Sequence, residues 1–97
     1  MEISTVTVEE LLNNKNLYII IDVRVKDQYL EKHIHGAINI PLAEIKEHIN
    51  ELPKDKKIVT YCNGGTSGGI ASLILRESGL EAYNLEGGFK NYQLKNK

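Results

Sequence analysis

One cysteine in 97 residues leaves no internal disulfide to staple the chain, and a reducing, cytoplasmic setting is the expectation. No cationic, apolar leader precedes the first element, which agrees with that setting. Neither sign of charge is in excess: 12 lysines and arginines stand against 13 acidic residues, for a net charge of −1. That balance offers nothing to nucleic acid or to an anionic membrane. No apolar run approaches the ~20 residues that cross a bilayer. A metal centre needs three or four converging ligands, and His33 and His35 form only a pair, with His48 on the polar face of its own segment. No metal is expected. No internal repeat is present.

What remains is ordinary for a globular protein: 41% hydrophobic and 26% charged residues. The expectation is one domain over residues 1–97, with 1–4 and 95–97 frayed, burying about two-thirds of its unfolded surface.

Thr7-Val8-Glu9-Glu10 reads as a capping box opening a short helix through Leu11 and Leu12. Leu17 to Val23 is a nearly continuous apolar run, the mark of a strand covered on both faces. Asp22 and Arg24 close it, a charged pair that could orient a substrate, though holding loops in place is the preferred reading. Lys26 to Lys32 predicts one or two helical turns, and Ile38-Asn39-Ile40 a short strand stopped by Pro41. Leu42, Ile45, Ile49 and Leu52 predict an amphipathic helix ended by Pro53. Ile58 to Cys62 is a further strand, Glu81 to Leu85 another, and Phe89 to Leu94 a last short helix. Gly87-Gly88 is a turn, with a further role only if it lies beside the cysteine. Strands alternating with helices predict right-handed crossovers and a mainly parallel sheet.

The most informative stretch is Tyr61-Cys62-Asn63-Gly64-Gly65-Thr66-Ser67-Gly68-Gly69, where a strand ends at the cysteine and four of the eight glycines follow. Ile70, Leu73, Ile74 and Glu77 then fall at helical spacing, with Gly79 placed to end the helix. A thiol at the C-terminal tip of a parallel strand sits where α/β sheets bind ligands. The helix start adds unpaired N–H groups and a positive dipole end, and successive loop amides can curl around an anion. Together these favour the thiolate of Cys62 over the thiol. A merely buried cysteine would not account for Gly64, Gly65, Gly68 and Gly69, which suggest positive φ or a backbone that something approaches closely.

Three collinear segments resemble the rhodanese family of sulfurtransferases. They are Ile21-Asp22-Val23-Arg24 with Tyr29 and His33 to Leu42; Tyr61 to Gly65 with Ala71 and Gly79; and Leu85-Glu86-Gly87-Gly88-Phe89 with Tyr92. The resemblance implies a three-layer α/β/α fold with a mainly parallel central sheet. It also implies a two-step transfer in which Cys62 takes the outer sulfur of thiosulfate or another sulfane donor as a persulfide. A thiol or protein acceptor then receives that sulfur, and the resemblance implies no cofactor for either step. Asn63, Gly64, Gly65, Thr66, Ser67 and Gly68 would cradle the anion, and Asp22 and Arg24 would support the site. The chain departs from the family pattern at Gln28, Lys32 and His35, and above all at Ser67 and Gly68, where arginine and serine are usual. A binding or carrier module that holds a persulfide with little turnover is the alternative. A cysteine phosphatase is disfavoured, because its loop needs one more residue and an arginine where Gly68 stands.

Overall fold

The computed structural model describes residues 2–96, so Met1 and Lys97 of the ends expected to be frayed lie outside the described residues. Five parallel strands form one sheet in the order β1 (Thr5–Val6), β5 (Ala82–Leu85), β4 (Lys57–Tyr61), β2 (Tyr18–Asp22) and β3 (Ile38–Asn39). β1 is a strand that sequence pattern alone does not reveal, since two residues carry no periodicity. It pairs with β5 in the register Thr5 to Asn84, and Ser4 O accepts from Asn84 N at 2.8 Å.

Alternation along β2 and β4 builds two cores, one on each face of the sheet. Tyr18, Ile20, Val59 and Tyr61 join Leu11, Phe89 and Tyr92 on one face, under α1 (Val8–Asn13), α2 (Lys26–Glu31) and α4 (Gly88–Lys95). Ile21, Val23, Ile58 and Cys62 join Ile45, Ala71 and Leu75 on the other, under α3 (Thr66–Glu77) and the segment Leu42–Glu51. This is the three-layer α/β/α arrangement. The chain leaves β2 to one side of the sheet and β4 to the other, with the crossover helices α2 and α3 on opposite faces. The C-terminal ends of β2 and β4 therefore flank the topological switch point, where such sheets open a crevice.

The N-terminal capping box forms by half. Glu10 N donates to Thr7 Oγ1 at 3.0 Å, while the Glu10 carboxylate turns instead to Asn14 Nδ2 and the Tyr18 hydroxyl. Leu17 belongs to a 3₁₀ turn and is exposed, so β2 starts one residue later than its apolar run.

One expectation needs correction. Leu42–Glu51 is a 3₁₀ helix, closed by i→i+3 bonds such as Glu44 N to Pro41 O, rather than a helix of 3.6-residue period. Ten residues reach ~20 Å in that form against ~15 Å in an α-helix, which suits a link that must pass over β2. α3 forms as the spacing of Ile70, Leu73, Ile74 and Glu77 predicts, and its inward face is made of small residues: Ile70 is 45% exposed, while Gly68, Gly69, Ala71, Ser72 and Leu75 are buried. Small residues let the helix axis lie close to the sheet, and that proximity outweighs side-chain hydrophobicity in choosing the inward face. Among the described residues no helix is long and apolar enough to cross a membrane.

Candidate active site

Cys62 follows the last residue of β4, and α3 begins four residues later with Gly65 as its N-cap. Gly65 has φ +116°, a conformation that side chains with a Cβ resist. That turn aims the Gly65 N–H back at the cysteine, where it donates to Sγ at 3.1 Å. Among the described residues it is the one hydrogen-bond donor to the sulfur. Cys62 is 8% exposed and packs against the α3-side core, yet it also lines a cleft of about 480 Å³.

The glycines of the loop have separate reasons. At Gly68 a Cβ would come within 2.5 Å of Asn84 Oδ1 and 3.1 Å of Tyr61 Cα, so this residue lets α3 seat on the strand ends. At Gly69 a Cβ would meet the tip of the Ile3 side chain at 2.8 Å. Gly64 has neither a positive φ nor a neighbour within 4 Å of its missing Cβ, and it faces the cleft. Asn63, Gly64, Thr66 and Ser67 line that opening with Cys62, whereas Gly65 and Gly68 stand behind it.

The floor beneath the loop is built by strand alternation. Thr60 and Asn84 are paired residues on the α3 face; Thr60 Oγ1 donates to Gly68 O at 2.7 Å, and Asn84 Nδ2 to Gly65 O at 3.2 Å. Asp22 and Tyr61 are paired on the opposite face, where the Tyr61 hydroxyl donates to Asp22 Oδ2 at 2.8 Å and accepts from Ile34 N. Arg24 closes this network with bonds to Asp22, the Lys32 carbonyl and Asn63 Oδ1. Its guanidinium lies 4.4 Å from the Phe89 ring centre. Burial opposes the Arg24 charge, but the Asp22 carboxylate outweighs burial and holds the guanidinium above its ordinary range. Burial first, and the Asp22 carboxylate with it, raise the Tyr61 phenol, which stays a neutral donor.

Gly87-Gly88 does lie beside the cysteine. A Cβ on Gly88 would stand 2.6 Å from both the Cys62 and Asn63 carbonyls, and Gly88 has φ +66°. The start of α4 caps those carbonyls: Phe89 N donates to Cys62 O at 2.8 Å and Lys90 N to Asn63 O at 3.1 Å. Sequence reasoning offered this only as a condition, because nothing in the spacing says which turn packs on which. It missed the opposite wall altogether: Val23, Val25, Pro41, Leu42 and Ala43 face Cys62 across the cleft. His33 stacks on Tyr29 at 3.8 Å and contacts the Tyr29 carbonyl, away from the sulfur.

The model of the rhodanese-like domain matches residues 4–95. The uncharacterised protein YqhL of Bacillus subtilis is 40% identical over 89 residues, 91% of this chain and 71% of that protein. The thiosulfate sulfurtransferase PspE of Escherichia coli is 47% identical over 73 residues, 73% of this chain and 70% of that protein. Among solved structures, a rhodanese-related protein from Thermoplasma volcanium superposes with a TM-score of 0.90 at 28% identity, covering 95% of this chain and 92% of that one.

Proposed function

The chain belongs to the rhodanese-like domain family, and from that premise we propose that it is a sulfurtransferase whose carrier atom is Cys62 Sγ. One observation carries the reading: the sulfur sits at the tip of a central strand, opens on the cleft, and accepts the Gly65 N–H at 3.1 Å.

In the first step the Cys62 thiolate attacks the outer sulfur of thiosulfate. The S–S bond of the donor breaks, sulfite leaves with the electron pair, and Cys62 is left as a persulfide. In the second step an acceptor thiolate attacks the terminal sulfur, takes it, and returns Cys62 as thiolate. Both are displacements at sulfur, governed by the nucleophile's thiolate fraction and the leaving group. The backbone of Asn63, Gly64, Gly65, Thr66, Ser67 and Gly68 forms the cradle, and the Asp22–Arg24 pair lies beneath it, in reach of the Asn63 side chain. Neither step draws on a metal or cofactor. A thiol acceptor and a free Cys62 both suit a reducing, cytoplasmic setting.

The test is intact mass after exposure to thiosulfate. Wild type is expected to gain one sulfur atom and lose it to added thiol, and Cys62→Ser to gain none while keeping its fold. Persulfide formation in Cys62→Ser would remove Cys62 from the mechanism. The second reading, a carrier that loads sulfur but turns over slowly, is favoured by Ser67 and Gly68, which put no cation in the loop. Loading within one turnover without sustained sulfite release would select it.

A further inference from the structure

Arg24 has five N–H groups, and counting them singles out one nitrogen. Nε is shared between Asp22 Oδ1 at 3.0 Å and Oδ2 at 3.1 Å. Nη2 reaches Asp22 Oδ2 at 2.7 Å and Lys32 O at 2.6 Å. Nη1 has two hydrogens and, among the described residues, a single acceptor, the neutral amide oxygen of Asn63 at 3.2 Å. This is the longest of the guanidinium's bonds. The Asn63 carboxamide is loosely held at its other end too, where Nδ2 reaches Gln28 Oε1 at 3.4 Å in an exposed contact. Asn63 is thus a half-buried side chain lying over a charge that is 94% removed from solvent, given a side-chain exposure of 6%.

Arg24 is also the one fully charged residue among those lining the cleft, which otherwise offers glycine, hydroxyls, amides and apolar groups around Cys62. A sulfane donor whose leaving group is an oxyanion brings anionic oxygens into that cleft. Nη1 is the nitrogen able to receive them, because the rest of the fork is committed to Asp22 and Lys32. An anionic oxygen makes a stronger bond to a guanidinium than an amide oxygen does.

We propose that Asn63 is a displaceable cover on Arg24, and that a donor's anionic oxygen takes the place of Asn63 Oδ1 on Nη1. Arg24 then supplies the charge that the loop lacks at Ser67 and Gly68, and Asn63 sets how strongly the cleft prefers donors with an oxyanion leaving group. The inference rests on the reading that Cys62 accepts sulfur. It makes Asn63 a specificity-determining residue, beyond its place in the cradle.

The test compares thiosulfate with an alkyl persulfide, whose leaving group has no anionic oxygens, in wild type, Asn63→Ala and Asn63→Asp. Removing the neutral cover in Asn63→Ala is expected to lower the KM for thiosulfate about threefold. A carboxylate in Asn63→Asp would occupy Nη1 itself and is expected to raise that KM about tenfold. The alkyl persulfide should shift by less than thiosulfate in both variants, since no hydrogen bond to Arg24 is at stake for it, and the ratio of the two donors' KM values is the readout. Gln28→Ala, which frees the far end of Asn63 without touching Arg24, should move the thiosulfate KM in the direction of Asn63→Ala. It serves as the independent variant if a change at residue 63 disturbs the fold. Equal shifts for both donors, or no rise in Asn63→Asp, would overturn the proposal. Intact mass on the same samples separates the two levels: a Cys62 persulfide without donor discrimination sinks the cover alone, and no persulfide from either donor sinks the sulfurtransferase reading beneath it.

Discussion

Ser67 shows how much a single side chain contributes to the electrostatics of this loop. It lies in the first turn of α3, lines the cleft and is half-buried, and its hydroxyl brings no net charge. An incoming dianion meets backbone dipoles, the Gly65 N–H and the covered edge of Arg24. Ser67→Arg is therefore expected to lower the KM for thiosulfate, and the gain should shrink as salt screens the added charge. Steady-state kinetics at low and high ionic strength check this; an unchanged KM at low salt would show that charge at this position does not govern binding. The residues beneath the loop could be picked out as types but not as partners. Asp22, Arg24 and Tyr61 are conspicuous in the sequence, whereas the bond from the Tyr61 hydroxyl to Asp22 Oδ2 spans 39 residues and follows only from strand register.

At the scale of elements, the site depends on two helices meeting one strand end. α3 comes close through Gly68, and α4 holds the Cys62 and Asn63 carbonyls from the other face with its first N–H groups. Turning those carbonyls toward α4 keeps them away from the Gly65 N–H that faces the sulfur. Gly88→Ala tests this coupling. A Cβ there meets two carbonyl oxygens at 2.6 Å on a backbone at φ +66°. The left-handed conformation alone costs about 1–2 kcal/mol with a side chain, and relieving the contact adds to it. Chemical denaturation should give a loss of at least that size, and Cys62 alkylation should slow as the loop shifts. Unchanged stability would mean that α4 yields freely and does not position the loop.

Over the whole molecule, the first and last helices are joined by an exposed ion pair, Glu9 to Lys95 at 2.9 Å, between residues 86 positions apart. The hydrogen bond from Lys95, with its charge, holds the Glu9 carboxyl below its ordinary value of 4.5. A carboxyl lowered on folding adds stability that is complete above the unfolded value and is lost as pH falls through the folded one. The melting temperature of wild type should accordingly exceed that of Lys95→Gln near neutral pH, by a small margin because the pair is exposed. The gap should close on acidification below about pH 4.5 and also in high salt. A gap that widens toward acid would contradict the assignment.

The sequence by itself determined the alternation of elements, the parallel sheet, and the cysteine at the tip of a strand followed by a glycine-rich turn. Those features are local: β-branched runs, a capping threonine, helical spacing, and glycines where the backbone must turn. The same locality explains its errors. Leu42–Glu51 looked α-helical because the pattern 42, 45, 49, 52 fits more than one period, and spacing says nothing of the distance between a helix and its sheet, which put Gly68, Gly69 and Ala71 of α3 inward. Tertiary structure alone decided that Gly88 caps the cysteine loop, that Pro41 and Leu42 wall the cleft, and that Arg24 lies beneath Asn63. Each of these joins segments that the chain keeps well apart. A sheet that places β4 between β2 and β5 sets such contacts by strand order and register, which no single stretch of sequence encodes.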